Sequence, residues 1–103
     1  MAEEYTVFVP RILSDETVDG MRHISVAPST LVCSSQIDID LEGDIIRGVR
    51  YTRGCDGNTQ GVAALACGMT AAEAVRRLRG IDCHGRGTSC PDQLARVLEY
   101  AIG

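Results

Sequence analysis

The hydrophobic positions of this chain change their period once, near the middle. Before that point apolar and polar residues alternate. "QIDIDLE" at 36–42 sets Ile37, Ile39 and Leu41 on one face and Asp38, Asp40 and Glu42 on the other. That is the pattern of a strand with one wet side. "MRHISVA" at 21–27 predicts a short strand before it, and "IIRGVRYT" at 45–52 a returning strand with Val49 and Tyr51 on one face. Gly43 and Asp44 make the tight turn between these two strands. "EYTVFVP" at 4–10 predicts a further strand ended by Pro10, and "SDETVDG" at 14–20 a polar turn. Residues 1–20 are read as an arm ahead of a domain spanning 21–103.

After residue 55 the period lengthens. "NTQGVAALACGM" predicts an alanine-rich helix capped by Asn58 or Thr59 and ended by Gly68. In "TAAEAVRRLRG", Thr70 and Glu73 match a capping box, and Ala71, Ala74, Val75 and Leu78 form an apolar stripe that Gly80 stops. In "PDQLARVLEYAIG", Pro91 suits the first helical position, and Leu94, Val97, Leu98, Ala101 and Ile102 recur at helical spacing. Strands followed by helices predict an α+β domain: a small antiparallel meander with about three helices packed on one face.

Composition narrows the function more than the fold. The chain has 103 residues and a net charge of −4, and all ten of its basic residues are Arg. No basic stripe favours nucleic acid. The absence of Lys excludes a Schiff-base or phosphate-loop lysine, and "GCDGNTQG" at 54–61 lacks the order of a phosphate loop. No segment is long or apolar enough to span a membrane, and "MAEEYTVFVPRIL" lacks the features of a secretory leader, so a cytoplasmic protein is expected. No triad or paired carboxylates suggest a conventional enzyme.

The five cysteines carry the candidate chemistry. In a reducing compartment such a number points to metal ligands, redox groups or buried thiols rather than disulfides. Cys33 leads into the alternating strand, Cys55 lies in the turn "RGCDGN", Cys83 in the loop "GIDCHGRG", and Cys90 at the cap of the last helix. All four sit at element ends beside Gly, Ser or Asp, where chain segments can converge on an ion. A helix start favours thiolate, the form that binds Zn²⁺ or an iron–sulfur cluster. No pair has CxxC spacing. Cys67, in "AALACGM", reads as a small core thiol. His84 is an alternative ligand but reads first as a solvated loop residue, and His23 as a sheet-face residue. Asp56 and Asp92 read as acids serving helix starts.

"TSCPDQL" at 88–94, "GCDGNTQG" at 54–61 and "VCSSQI" at 32–37 together resemble the TSCPD-domain family. Its domains also occur at the C-terminal end of some cobalamin-dependent ribonucleotide reductases. The resemblance covers about residues 21–103 and implies Cys33, Cys55, Cys83 and Cys90 as the shared metal-binding cysteines, with Cys67 incidental. The order of Cys33, "RGCDGN", "MTAAEAVRRL" and Cys90 is also distantly similar to iron–sulfur scaffold proteins of the IscU/NifU-N type. Those carry an Asp two residues after the first cysteine. This chain has Ser35 there, and offers Cys83 as a fourth thiolate.

Three functions are therefore weighed. The first is a metal-binding module that holds Zn²⁺ or an iron–sulfur cluster, scaffold-like or accessory to a ribonucleotide reductase. The second is a thiol redox partner or regulator, with Cys90 attacking and Cys83 or Cys55 resolving. The third is an interaction domain whose cysteines merely pack.

Overall fold

The computed structural model describes residues 7–54, 56–83 and 85–103. Four strands form one antiparallel meander in the order β1-β2-β3-β4: β1 Arg11–Val18, β2 Met21–Ala27, β3 Gln36–Glu42 and β4 Ile45–Thr52. Three helices follow: α1 Asp56–Ala66, α2 Ala71–Leu78 and α3 Cys90–Ile102. The α+β meander with three helices is the predicted architecture. Among the described residues, no helix is long and apolar enough to cross a membrane.

Alternation decides which face is covered. Ile24 and Val26 of β2, Ile37, Ile39 and Leu41 of β3, and Ile46 and Val49 of β4 are buried together. Ala66, Ala71, Ala74, Leu94, Val97 and Leu98 close the core from the helical side. Small side chains on α1 and α2 let these helices approach closely, while α3 supplies the bulk. The opposite sheet face is polar. His23 pairs with Asp40 at 2.5 Å, Arg50 with Asp40 at 3.0 Å, and Ser25 with Asp38 at 2.5 Å. His23 is thus a sheet-face residue.

Two features of the first half differ from the sequence reading. The first strand is not at 4–10. Residues 4–6 lie outside the described residues, and Val7–Val9 form a turn. The strand is instead the polar stretch 11–18, which pairs with β2 from Arg11↔Ala27 to Val18↔Met21. Among the described residues its neighbour in the sheet is β2 alone, most of its side chains are exposed, and alternation is weak where little is buried. What read as an arm therefore supplies a strand of the sheet.

The edge of β4 is closed by the segment between α1 and α2. Ile46 N–H donates to Met69 O at 2.9 Å, Gly68 N–H to Ile46 O at 2.8 Å, and Ala71 N–H to Asp44 O at 2.8 Å. The α1 helix starts at Asp56, before the Asn58 or Thr59 cap the sequence suggested. Thr70 caps α2 as predicted, its hydroxyl accepting from Glu73 N–H at 3.1 Å. At α3 the cap is Ser89, whose hydroxyl accepts from Asp92 N–H at 3.1 Å. Cys90 and Pro91 are therefore the first two helical residues, one step inside the predicted register.

Candidate thiol site

The "TSCPDQ" run builds a buried polar hub around the start of α3. Thr88 Oγ1 donates to Asp92 Oδ2 at 2.6 Å, and Ser89 Oγ donates to Ile81 O at 2.6 Å. Asp92 also accepts from Gly80 N–H at 2.7 Å and Arg96 Nε at 2.9 Å. Burial pushes the Asp92 carboxyl up, but the bonds from Thr88, Arg96 and Gly80 outweigh it, and its pKa falls below the ordinary value. So Asp92 is more than an acid at a helix start: it ties α3 to the end of α2. Gln93 extends the hub. It accepts from Ser29 N–H at 2.8 Å and donates to Phe8 O at 2.7 Å.

Every oxygen and nitrogen of this hub has a structural task. Among the described residues, no buried side-chain nitrogen or oxygen lacks a partner. The atom left over is the sulfur of Cys90. It is buried and lies 3.3 Å from Ser34 Oγ. The carbonyl of the same residue accepts from Tyr51 Oη at 3.0 Å. Burial, and then the negative charge of a Cys90 thiolate, push the Tyr51 phenol well above its ordinary range. It therefore stays a donor throughout neutral pH.

Cys90 opens onto a cleft of about 290 Å³, lined also by Cys33, Cys83, Arg86, Ser89 and Asn58. Topology brings these together. β2 ends, β3 begins and α3 begins at the same end of the sheet. Cys33 comes from the β2–β3 loop, Cys83 from the α2–α3 loop, and Asn58 from the first turn of α1. The α2–α3 loop is held by Asp82, which accepts from Gly85 N–H and Gly87 N–H at 2.6 Å each. Cys83 N–H donates to Thr88 O at 3.2 Å, and Arg86 N–H to Cys83 O at 3.2 Å. Arg86 Nη1 crosses to the β2–β3 loop, donating to Leu31 O at 3.3 Å and lying 4.0 Å from Cys33 Sγ.

Three of the four predicted site cysteines thus line one cleft, and they differ in setting. Cys90 is buried, Cys83 half-buried and Cys33 exposed. Cys90, placed at the helix cap among polar neighbours, is buried because Thr88, Ser89, Asp92 and Gln93 turn inward around it. Cys55, the fourth cysteine, and His84 lie outside the described residues. Gly54, which precedes Cys55, has φ +109°, and a Cβ there would come within 3.1 Å of Thr59 and 3.4 Å of Ser34. That turn therefore needs glycine.

The donor chemistry suits a soft metal, since three thiols face one space beside Val32, Ile81 and Pro91. The spacing is open. Among the described residues, no three of His, Cys, Asp and Glu stand close enough to hold an ion. Cys67 does not belong here, and it is not the core thiol expected. It is exposed, just past the end of α1, where Ala66 takes the inward position. One residue is about 100° of helical turn, enough to swing it outward. Arg86 and Asn58 line the cleft, and Ser34 and Tyr51 bond Cys90 from behind it; sequence reasoning gave none of the four to the site. For Arg86 the available signal was a cation between two glycines in a cysteine-bearing loop.

The TSCPD domain family model matches residues 6–102, nearly the whole chain. The chain belongs to this family. The match takes in β1, which the resemblance had left outside. No curated protein and no solved structure matches the chain, so the likeness to scaffold proteins rests on sequence order alone.

Proposed function

We propose that the protein is a metal-binding module in which Cys33, Cys83 and Cys90 hold Zn²⁺ or an iron–sulfur cluster at the cleft, with Cys55 completing the set. The observation that carries this reading is that thiols from three separate segments line one cleft, while the buried polar groups of the TSCPDQ run are bonded within the structure. Thiolates at about 2.3 Å from a zinc ion would draw the exposed Cys33 toward the anchored Cys90. The ion is cargo or structural centre, and the partners consistent with the family resemblance are a ribonucleotide reductase or cluster-assembly proteins. The protein's own residues supply the frame. Ser34 meets the Cys90 sulfur, Tyr51 fixes its backbone, and the Asp82 turn holds the loop of Cys83.

A thiol redox role is the second reading, and the open spacing of the described thiols favours it. There a thiolate attacks a partner's disulfide and expels one partner thiolate; a second thiol of this chain then attacks the mixed disulfide, so that an internal disulfide forms here and the partner leaves reduced to two thiols. The burial of Cys90 weighs against its being the attacking group on a macromolecule.

Anaerobic purification followed by metal analysis separates the two. Stoichiometric zinc or iron, lost in Cys33→Ser, Cys55→Ser, Cys83→Ser and Cys90→Ser but kept in Cys67→Ser, supports the metal module. A metal-free protein that forms one internal disulfide on oxidation supports the redox role instead.

A further inference from the structure

The sheet ends on β1. Among the described residues β1 pairs with β2 alone, so its other edge meets no strand. Register with β2 sets its faces. Ile12 and Asp15 stand opposite the buried Val26 and Ile24, on the helical side, while Arg11, Ser14, Glu16 and Val18 stand on the polar face. Leu13 is the extra residue where the register shifts between Ile12 and Ser14. Exposed apolar side chains gather along this edge. Of the eight large ones among the described residues, Val7, Val9, Leu13 and Val18 precede or belong to β1, and Tyr100 flanks it, its hydroxyl bonded to Asp15 at 2.8 Å. Arg11 and Glu16 are both exposed, and neither forms an ion pair among the described residues.

We infer that this edge is an interaction surface for a second copy of the chain, which adds its own β1 antiparallel to this one and joins the two sheets. Self-complementary charge selects that occupant. A twofold axis beside Ser14 fixes the register. Ile12 and Leu13 together count as one step of pairing, so Arg11 lies two steps before the axis and Glu16 two steps after it. Each Arg11 then stands opposite Glu16 of the second copy, on the same face of the joined sheet, at a cross-strand spacing of about 5 Å. Two such pairs form per dimer, and each joins charges that the single chain leaves apart. The same register brings Val18 toward the Val9 end of the second copy and covers apolar side chains that are exposed in the single chain. The backbone groups of the free edge gain partners as well. A strand of eight residues with a bulge makes a small interface, so dissociation falls in the micromolar range. None of these residues lines the thiol cleft, so the inference goes beyond the metal reading and does not depend on it.

The test is sedimentation equilibrium of the full chain across the micromolar range, with a reductant present so that the exposed cysteines form no disulfide-linked dimer. The weight-average mass should rise with concentration from one chain toward two. Arg11→Glu and Glu16→Arg should each weaken association about tenfold, because each replaces two attractive cross-strand pairs by repulsive ones. The double variant, Arg11→Glu with Glu16→Arg, should return association to within about threefold of wild type, since the pairs re-form with their signs exchanged. Both positions are exposed, so in dilute solution all three variants should melt with the wild type, which separates lost pairing from lost folding. A chain that stays monomeric at every concentration overturns the inference and leaves the edge to a partner of another kind. A dimer that ignores both single reversals also overturns it, since that dimer uses another surface. So does a double variant that associates no better than the singles.

Discussion

At the scale of single residues, the family's signature separates into a frame and a payload. Thr88, Ser89, Asp92 and Gln93 spend their polar atoms on one another and on Ile81, Gly80, Ser29 and Phe8. The Cys90 sulfur, against Ser34 Oγ, lines the cleft together with Ser89. Asp92 is the residue on which most of the frame depends, because it is 1% exposed and takes bonds from four groups. Asp92→Ala should cost about 3 kcal/mol or more, since the Arg96 guanidinium and Gly80 N–H lose a buried partner. Denaturant unfolding measures this, and a loss under about 1 kcal/mol would contradict the role given to Asp92. Cys67→Ser should change stability little, because that sulfur is exposed.

At the scale of elements, the site is an outcome of where segments end. The β2–β3 loop, the α2–α3 loop and the first turn of α3 meet only because the meander and the helices place those ends together. The α2–α3 loop depends on Gly87, whose φ is +88° and whose Cβ would stand 2.8 Å from the Phe8 ring. Gly87→Ala should destabilise the protein by about 1–3 kcal/mol through backbone strain. It should also disturb the cysteine at 83 more than the one at 67, read as their relative alkylation rates. β2, β3, β4, α2 and α3 were legible because each buries one periodic face. The strand at 11–18 was not, because its side chains are mostly exposed and bury too little to impose alternation. That Cys33, Cys83 and Cys90 sit at element ends was legible, and these three line one cleft. What could not be read was their ranking. The burial of Cys90 goes with long-range bonds of Asp92 to Gly80 and of Gln93 to Ser29 and Phe8, and the approach of Arg86 to Cys33 joins loops 53 positions apart. The outward turn of Cys67 was lost to a single residue of helix register.

For the whole molecule, the proposed metal reading makes stability depend on added zinc. The folded chain depends on carboxylates held charged by their partners. Hydrogen bonds from Arg22 lower the Asp15 pKa to about 2. In Asp40, burial raises it, but bonds from Arg50 and His23 win, and the net shift is downward, as in Asp92. Groups with depressed folded pKa values stabilise fully above their unfolded values, near pH 4, and lose that contribution as pH falls through the folded values. Thermal stability should therefore be flat from pH 7 to about 5 and fall steeply between about 4 and 2. A melting temperature that rises over that acidic interval would contradict the ion-pair assignments. The cleft joins the β2–β3 loop, the α2–α3 loop and α3, so an ion bound there adds to folding free energy. At a hundredfold excess over its dissociation constant it would add about 2.7 kcal/mol. The most direct measurement is an anaerobic Co²⁺ titration of the reduced protein, followed by absorbance. The account predicts sulfur-to-metal charge-transfer bands that saturate at one equivalent, with strong visible bands of tetrahedral geometry, both abolished in Cys90→Ser and unaltered in Cys67→Ser. A titration that yields no charge-transfer absorption, or one that is unchanged in Cys90→Ser, would contradict it.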